Sequence, residues 1–291
     1  MSPAMKQFAV LQLSGCSGCE VSLLNAEEWI DQYKLAYMPL VASVYELTQV
    51  DVLLVSGSLR SDEDLYNLQH AVYKAKKVVA VGTCAISGGV AHLGDRDEVR
   101  QLFLTQQERY HLPRLLPKSR PIDSRVSIDC YLPGCPPTPE LLIAALFEKP
   151  DFKAAASVCQ ECGRRKVKEM RPNHLVGFMK GEVQPEICLI NQGYLCIGTS
   201  TRGGCRAICT RAGYPCVGCR GPSNAFIEKE SLAWFSSIQR VFTSMTDIPP
   251  EEIETGLHSP QLAMFLFQFS DYTSEPLAEG GKPVRLKEKV L

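Results

Sequence analysis

The sequence predicts an α/β protein in which a parallel sheet domain is followed by a smaller domain rich in loops. Short apolar runs at residues 7–14, 51–55 and 77–81 alternate with amphipathic stretches at residues 61–76 and 97–110. Runs that are apolar throughout are typical of parallel strands buried on both faces, and their alternation with helices is typical of a doubly wound sheet. We therefore expect a flavodoxin-like domain in the first half of the chain.

Three further segments complete the predicted sheet domain. Apolar side chains at helical spacing in residues 21–30 predict a helix after the first strand. Residues 126–131 predict a fourth strand, and residues 139–147 predict the helix that follows it. The helix at residues 61–76 begins with Ser61 and then acidic residues, which predicts Ser61 as its N-cap.

The length of 291 residues is sufficient for two domains and a C-terminal extension. The predicted ranges are 1–150 for the sheet domain, 151–225 for the smaller loop-rich domain, and 226–291 for a C-terminal helix and tail packed on a partner. Within the extension, residues 231–245 predict the helix.

The overall charge argues against binding to nucleic acid or to an anionic membrane. The formal net charge is −1 and the isoelectric point is about 6.5, so the chain has no excess of basic residues that would attract an anionic partner. No apolar run reaches about 18 residues, the length that indicates a membrane-spanning helix. The N-terminal residues carry no cleavage-site pattern, from which we expect a cytoplasmic protein.

Cysteine is the most informative residue of the second half. The chain has 13 cysteines, of which eight lie between residues 159 and 219, in segments with too few apolar residues to form a core of their own. In a reducing compartment, such dense cysteine indicates metal rather than disulfides. Eight thiolates are the complement of two [4Fe–4S] clusters, so residues 151–225 are predicted to form a ferredoxin-type iron–sulfur domain. The cysteines are Cys159, Cys162, Cys188, Cys196, Cys205, Cys209, Cys216 and Cys219.

Four other cysteines follow predicted strands of the sheet domain. Cys16 and Cys19 come after the first strand, Cys84 after the third and Cys135 after the fourth. Because the carboxyl ends of parallel strands meet at one edge of a sheet, we expect these turns to converge. Adjacent glycines let the backbone approach a sulfide-rich cluster closely. The pattern predicts one further [4Fe–4S] cluster at this edge.

Simpler interpretations of individual residues stay open at this point. The eight-cysteine tract could hold paired zinc ions in a scaffold protein. Cys16 and Cys19 alone could form a thioredoxin-like redox pair. The thirteenth cysteine, Cys130, is interpreted as a buried small side chain on the fourth strand. Glu20 is interpreted as complementing the dipole of the first helix, with proton coupling to a nearby centre as the alternative.

Four motifs, taken together, are specific enough to indicate a family. They are CSGCEVSLL at residues 16–24, GTCAISGG at 82–89, PGCPPTPE at 133–140, and CLINQGYLCIGTSTRGGCRAICTRAGYPCVGC at 188–219. In combination they resemble the small, iron–sulfur subunit of [NiFe] hydrogenases, and most closely the cytoplasmic group with methyl-viologen-reducing hydrogenases and sulfhydrogenases. The first three motifs are also similar to a related subunit of respiratory complex I, which lacks the long cysteine tract.

The resemblance implies an electron-transfer subunit with three [4Fe–4S] clusters and no bond-making of its own. A proximal cluster would lie next to a NiFe centre in a separate large subunit, and electrons would leave to an acceptor subunit of the flavin, ferredoxin or heterodisulfide-reductase type. The implied ligands are Cys16, Cys19, Cys84 and Cys135 (proximal set); Cys159, Cys162, Cys188 and Cys196 (distal set); and Cys205, Cys209, Cys216 and Cys219 (medial set).

Two positions depart from the pattern of membrane-bound relatives. Those relatives have a histidine where this chain has Cys159, and they often lack the medial cysteine that is Cys209 here. The resemblance therefore implies an all-cysteine distal cluster and a medial [4Fe–4S] cluster of low potential. The alternative function is a complex-I-like iron–sulfur subunit of a non-hydrogenase oxidoreductase. Arginines between the last cysteines would offset cluster charge or form a docking face for an acidic partner; they are Arg202, Arg206, Arg211 and Arg220.

Overall fold

A computed structural model describes residues 5–44, 46–147, 156–177, 180–223 and 232–258 of the chain. These residues form two compact units, one up to residue 147 and one from residue 156 onward. The three predicted domain ranges stay predictions, because their internal boundaries at residues 150 and 225 fall outside the described residues. The predicted tail after residue 258 lies outside them as well.

The first unit contains the predicted parallel sheet. Its strands are β1 (Lys6–Gln12), β2 (Tyr33–Tyr37), β3 (Val50–Ser56), β5 (Ala75–Val81) and β7 (Cys130–Leu132). Within the described residues they form one five-stranded sheet in the order β2-β1-β3-β5-β7, and every neighbouring pair is parallel. Counted along the chain, this is the order 2-1-3-4-5 of flavodoxin-like doubly wound sheets.

Three short strands were not predicted. β2 lies at the edge of the main sheet, and β4 (Leu59–Ser61) and β6 (Leu115–Arg120) form a separate antiparallel pair. Strands of this kind tolerate polar side chains such as Lys34, which is exposed, so they lack the continuous apolar run that marks a central strand. The fourth predicted strand begins at Cys130, later than the expected start at residue 126.

The helices of the first unit follow the strand ends. They are α1 (Gly18–Leu24), α2 (Asp62–Val72), α3 (Gly82–Ser87), α4 (Asp97–Gln107) and α5 (Pro139–Leu146). Ser61 is the N-cap of α2, as predicted, and forms a capping box with Asp64. The expected helix over residues 21–30 was too long, since α1 ends at Leu24 and Ile30 remains 56% exposed.

Apolar side chains cover both faces of the sheet. Along β1, Phe8 and Val10 belong to one buried cluster, whereas Ala9 and Leu11 belong to another. Successive side chains of a strand point to opposite faces, so the two clusters lie on opposite faces of the sheet. This burial fixes the register of the central strands and thereby the positions of the turns that carry the cysteines.

The second unit is built from short helices and loops. Its helices are α6 (Val158–Cys162), α7 (Ile208–Arg211), α8 (Leu232–Met245) and α9 (Pro250–His258). The helix expected at residues 231–245 is confirmed, whereas α9 was not predicted. Nowhere in the described part of the chain is a helix long and apolar enough to cross a bilayer.

The cysteine-bearing segments do share an apolar core. Ile197 and Leu195 from the loops pack in one cluster with Ile238 and Phe242 of α8 and with Ile253 of α9. Cys196 and Cys216 are themselves members of this cluster. Eight of the fifteen buried residues that the structure describes in this core come from residues 159–219 themselves. The expectation that these segments have too few apolar residues to form a core is therefore wrong, and α8 and α9 contribute most of the other buried residues.

Candidate metal centres

The cysteines of the first unit lie beyond the carboxyl ends of its strands, as predicted. Cys16 follows β1, Cys84 lies in α3 after β5, and Cys135 follows β7. Cys19 lies on α1. Cys16, Cys84 and Cys135 line one open cavity of about 680 Å³. Turns from three different strands thus open into the same space.

Cys19 lies within electrostatic range of the other three. Burial raises the pKa of the Cys19 thiol well above its ordinary value, and the negative charges of Glu20, Cys135, Cys84 and Cys16 raise this pKa further. The fold therefore brings together all four cysteines of the proximal set. Their role as cluster ligands stays a prediction.

Two glycines leave room around these sulfurs. A Cβ atom on Gly82 would lie 2.5 Å from Sγ of Cys19, and one on Gly89 would lie 2.9 Å from Sγ of Cys84. Both residues have positive φ angles, of 82° and 53°, which glycine adopts readily. Side chains at either position would occupy the space that the sulfurs and anything bound to them need.

The protonation of these thiols bears on the thioredoxin-like alternative. A thioredoxin-like pair uses two thiols, whereas the pKa of Cys19 is raised by burial and also by the charges of Cys135 and Cys84, so four thiols and not two meet here. Burial also raises the pKa of Cys84, although backbone N–H groups of Ala91 and Val90 oppose the shift by donating to its sulfur. Buried thiols of this kind become thiolates when a metal supplies positive charge. The donor set therefore fits a [4Fe–4S] cluster, which takes four cysteines and is tuned by hydrogen bonds to sulfur.

The distal set comes together in the second unit. Neighbouring protein atoms desolvate the thiol of Cys159 and raise its pKa to about 11, although the residue as a whole is exposed; the charges of Cys188 and Cys162 contribute while Lys166 opposes them. Burial likewise raises the pKa of Cys196 to about 12, with contributions from Cys159 and Cys188. All four thiols are thus linked through space. Cys159 is exposed, whereas Cys196 is buried.

The medial set forms two pairs. Burial raises the pKa of Cys209, and Cys205 adds to the shift; burial also raises the pKa of Cys216, to which Cys196 and Cys219 add. The two pairs are linked through the Arg220 guanidinium. The charge of Cys219 from one pair and that of Cys205 from the other both act on it. The backbone N–H of Cys216 also lies 3.3 Å from Sγ of Cys196, so the medial and distal sets adjoin.

The two kinds of metal site considered above need different spacing. Tetrahedral zinc needs four ligand atoms within about 2.3 Å of one ion, whereas a cubane cluster spreads its four thiolates over four irons. Among the described residues, no three His, Cys, Asp or Glu side chains are grouped so as to hold a single metal ion. For a zinc ion to bind, the sulfurs of a set would have to move closer to one another.

Glu20 lies behind the proximal set. It occupies the first turn of α1, as predicted, but it is only 2% exposed, and its Oε1 accepts a hydrogen bond from the hydroxyl of Ser56. Both residues border a small internal space together with Cys19. No local signal in the sequence marks this pairing, because Ser56 ends β3 whereas Glu20 lies in the helix that follows β1.

The remaining candidates have varied surroundings. Cys130 is 7% exposed in the core, which confirms that it is a buried side chain. Nδ1 of His92 lies 3.2 Å from Oδ2 of Asp95. Of the four arginines, Arg206 and Arg211 are exposed and can face a partner. The other two, Arg202 and Arg220, are buried.

Two relatives match most of the chain. A subunit of the vhu F420-non-reducing hydrogenase of Methanococcus voltae is 35% identical over 245 residues, which are 77% of this chain and 85% of that protein. The corresponding vhu subunit of Methanocaldococcus jannaschii is 33% identical over 243 residues, which are 76% of this chain and 84% of that protein. The chain belongs to the iron–sulfur subunit family of F420-non-reducing hydrogenases. It is therefore a hydrogenase iron–sulfur subunit that relays electrons, and the resemblance in its motifs is confirmed.

Two further similarities agree with this family. Residues 16–148 match the family model described as NADH ubiquinone oxidoreductase, 20 Kd subunit. A solved actinobacterial-type NiFe-hydrogenase chain from Ralstonia eutropha H16 aligns with 97% of this chain and 96% of its own length, with a TM-score of 0.54 and 17% identity. At that identity the alignment shows a common fold. The fold of this hydrogenase subunit is thus the small-subunit fold of [NiFe] hydrogenases.

Proposed function

We propose that this hydrogenase subunit carries electrons through three [4Fe–4S] clusters, between a NiFe centre in a separate large subunit and an acceptor subunit. The observation that supports the proposal most directly is the grouping of twelve of the 13 cysteines around three loci, with Cys130 the one that belongs to none of them. We also place the complex in the cytoplasm, as the resemblance of the motifs to the cytoplasmic group of these hydrogenases implies.

The residues of this chain would bind, insulate and tune the clusters. A [4Fe–4S] cluster supplies a one-electron couple whose potential depends on ligand type, hydrogen bonds to sulfur and burial. N–H groups of Ala91 and Val90 donate to Cys84, and those of Gly198 and Cys216 donate to Cys196. Such bonds orient the ligands and favour the more negative, reduced state.

The exposed side of the distal set is the proposed exit for electrons. Cys159 is exposed, and the segment that follows carries the exposed cations Arg165, Lys166 and Lys168. None of these three has an ion-pair partner within the described residues. A cationic surface beside an exposed ligand favours docking of an acidic acceptor.

The medial set favours a couple of low potential. Cys209 supplies a fourth thiolate beside Cys205, so a [4Fe–4S] cluster is proposed there rather than a [3Fe–4S] cluster. A low potential suits delivery to a flavin, a ferredoxin or a heterodisulfide-reductase-type acceptor. The proposal extends to these three classes of acceptor.

Iron and sulfide analysis of the anaerobically purified complex tests the cluster count. We expect about 12 irons per copy of this chain, in addition to the iron of the NiFe centre. The variant Cys84→Ser should lose about four of them, whereas Cys130→Ser, which changes a core cysteine in the same way, should lose none. A wild-type content of about four irons, or zinc in place of iron, would overturn the proposal.

The complex-I-like function is the second candidate, because the matching family model covers residues 16–148 and is described for that class of subunit. It predicts the same clusters without a NiFe partner. Purification of the native complex distinguishes the two candidates. A companion subunit that contains nickel supports the hydrogenase, and a companion without nickel supports the alternative.

A further inference from the structure

Glu161 belongs to the distal set by sequence but contacts the medial set. It stands between Cys159 and Cys162 on α6. Its Oε1 accepts a hydrogen bond of 2.6 Å from the backbone N–H of Gly204, the residue before Cys205. Its Oε2 is buried and has no hydrogen-bond partner in the described part of the chain. An acidic oxygen is therefore held in the interior beside the medial loop without a hydrogen bond to spread its charge.

Arg220 carries the opposite charge in the same place. It follows Cys219 and is 1% exposed, and its Nε donates a hydrogen bond of 3.0 Å to the carbonyl oxygen of Gly203. Arginine is rarely buried so completely unless anionic groups compensate its charge. The guanidinium is thus buried directly after the medial ligand Cys219 and is bonded to the residue that precedes Gly204, the partner of Glu161.

The two opposite charges contact neighbouring residues of the same loop. Glu161 is hydrogen-bonded to Gly204, directly before Cys205, and Arg220 is hydrogen-bonded to Gly203, one residue earlier. Although Glu161 stands between two distal cysteines in the sequence, its carboxylate therefore reaches the medial loop.

We propose that Glu161 and Arg220 are positioning residues that set the reduction potential of the medial centre, Glu161 lowering it and Arg220 raising it. A negative charge held near a centre disfavours its reduction and a positive charge favours it, and both effects are strong in a low-dielectric interior. The proposal rests on the proposed function, because it needs a cluster on the medial set. It adds that the potential depends on two side chains that are not ligands.

The test is a redox titration, monitored by electron paramagnetic resonance, of the whole complex with full-length variants of this chain. Glu161→Gln keeps an oxygen that can accept the hydrogen bond from Gly204 and removes only the charge. We expect the equilibrium constant for reduction of the medial centre to rise about tenfold, which corresponds to about 59 mV for one electron. Arg220→Gln should shift it in the opposite direction. The medial signal is identified as the one changed by Cys209→Ser.

Controls separate the effect of charge from the effect of structure. Arg220→Lys keeps the positive charge and should leave the medial potential near that of the wild type. Glu169→Gln makes the same chemical change at an exposed glutamate and should shift neither signal. The distal signal should shift less than the medial signal in Glu161→Gln, since the carboxylate is hydrogen-bonded to the medial loop.

The possible outcomes all decide the proposal. Opposite shifts of the medial signal in Glu161→Gln and Arg220→Gln, with full iron content, support it. Unchanged potentials, shifts of the same sign, or loss of medial iron from both variants overturn it, because the pair would then be inert or merely structural. Failure of the proposed function is distinguishable, since the wild-type complex would then lack medial and distal iron before any variant is made.

Discussion

The sheet unit and the cysteine-rich unit hold their backbones in different ways. In the sheet unit, β1, β3 and β5 pair along continuous parallel ladders, so the backbone polar groups satisfy one another. In the cysteine-rich unit, side chains take over this role. Asn191, which is 2% exposed, donates to the carbonyl oxygens of Val167, Met170 and Met245 and accepts from the N–H of Val167.

Arginines play a similar part in the second unit. Arg164 donates to the carbonyl oxygen of Thr210 in α7 and to those of Gln184 and Ile187 in a single turn. Arg171 donates to carbonyl oxygens at the end of α8, among them that of Ser244. Buried backbone groups must be satisfied in any fold. The comparison teaches that a unit whose backbone is not paired in a β-sheet depends for its order on a few individual side chains and, by our proposal, on its metal centres.

The largest expected effect comes from removal of iron. Oxidative removal with a chelator should expose amides throughout residues 156–258 to rapid hydrogen exchange, because Cys196 and Cys216 are part of that unit's core. The amides of β1, β3 and β5 should stay protected, since apolar clusters on both faces of the sheet do not include a medial or distal cysteine. Exchange by mass spectrometry measures both. Simultaneous loss of protection in both units would break the comparison.

A matched pair of glycine substitutions gives the next largest effect. Gly82→Ala places a Cβ 2.5 Å from Sγ of Cys19, whereas Gly163→Ala, next to a distal cysteine, meets nothing within 4 Å. Both glycines have positive φ, of 82° and 72°, so the backbone strain is similar. We expect Gly82→Ala to lose about four irons and Gly163→Ala to keep all of them. Equal iron contents in the two variants would contradict the close fit around Cys19.

Asn191→Ala should destabilise the second unit by about 3 kcal/mol, because three carbonyl oxygens and one N–H lose their partner in a buried place. The free energy of local opening, measured by hydrogen exchange in α8, reports this. Asn173→Ala removes an exposed amide from the same unit and should change little. A small effect at Asn191 would mean that water or neighbouring groups replace the side chain there.

The smallest effect is expected at the rim of the sheet. The hydrogen bond from Lys76 and that from the N–H of Gln7 lower the pKa of Asp51. Since the folded-state pKa is below the unfolded value of about 3.9, the stabilisation is present above that pH and is lost as the pH falls through the folded-state pKa. Asp51→Asn should therefore cost under about 1 kcal/mol at pH 7. Urea unfolding at several pH values should show the cost vanish in acid.

The sequence predicted the elements whose signal is local. The central strands were recognised from apolar runs, and the convergence of Cys16, Cys84 and Cys135 followed from the geometry of parallel sheets. The end of α1 was missed, because Val21 and Ile30 have helical spacing yet remain 53% and 56% exposed. The edge strands and α9 were missed because their apolar patterns are short or are interrupted by polar residues.

The side chains around the cysteines were less predictable. Glu161 and Arg220 stand next to proposed ligands in the sequence, but nothing in the order of residues says that they lie in range of the same sulfur. Such proximity through space requires the folded loops. The pairing of Ser56 with Glu20 was hidden for the same reason, since 36 positions separate the two residues.

The contact between the N–H of Cys216 and Sγ of Cys196 has a consequence for how the subunit matures. By our proposal the second unit binds two centres, and a chain that has received the one on the distal set already holds Cys216 of the medial set in position. Insertion of the next centre then begins from an ordered loop and loses less chain entropy. Intermediates that carry one of the two centres should be scarce during biogenesis, and fully empty and fully loaded chains should predominate.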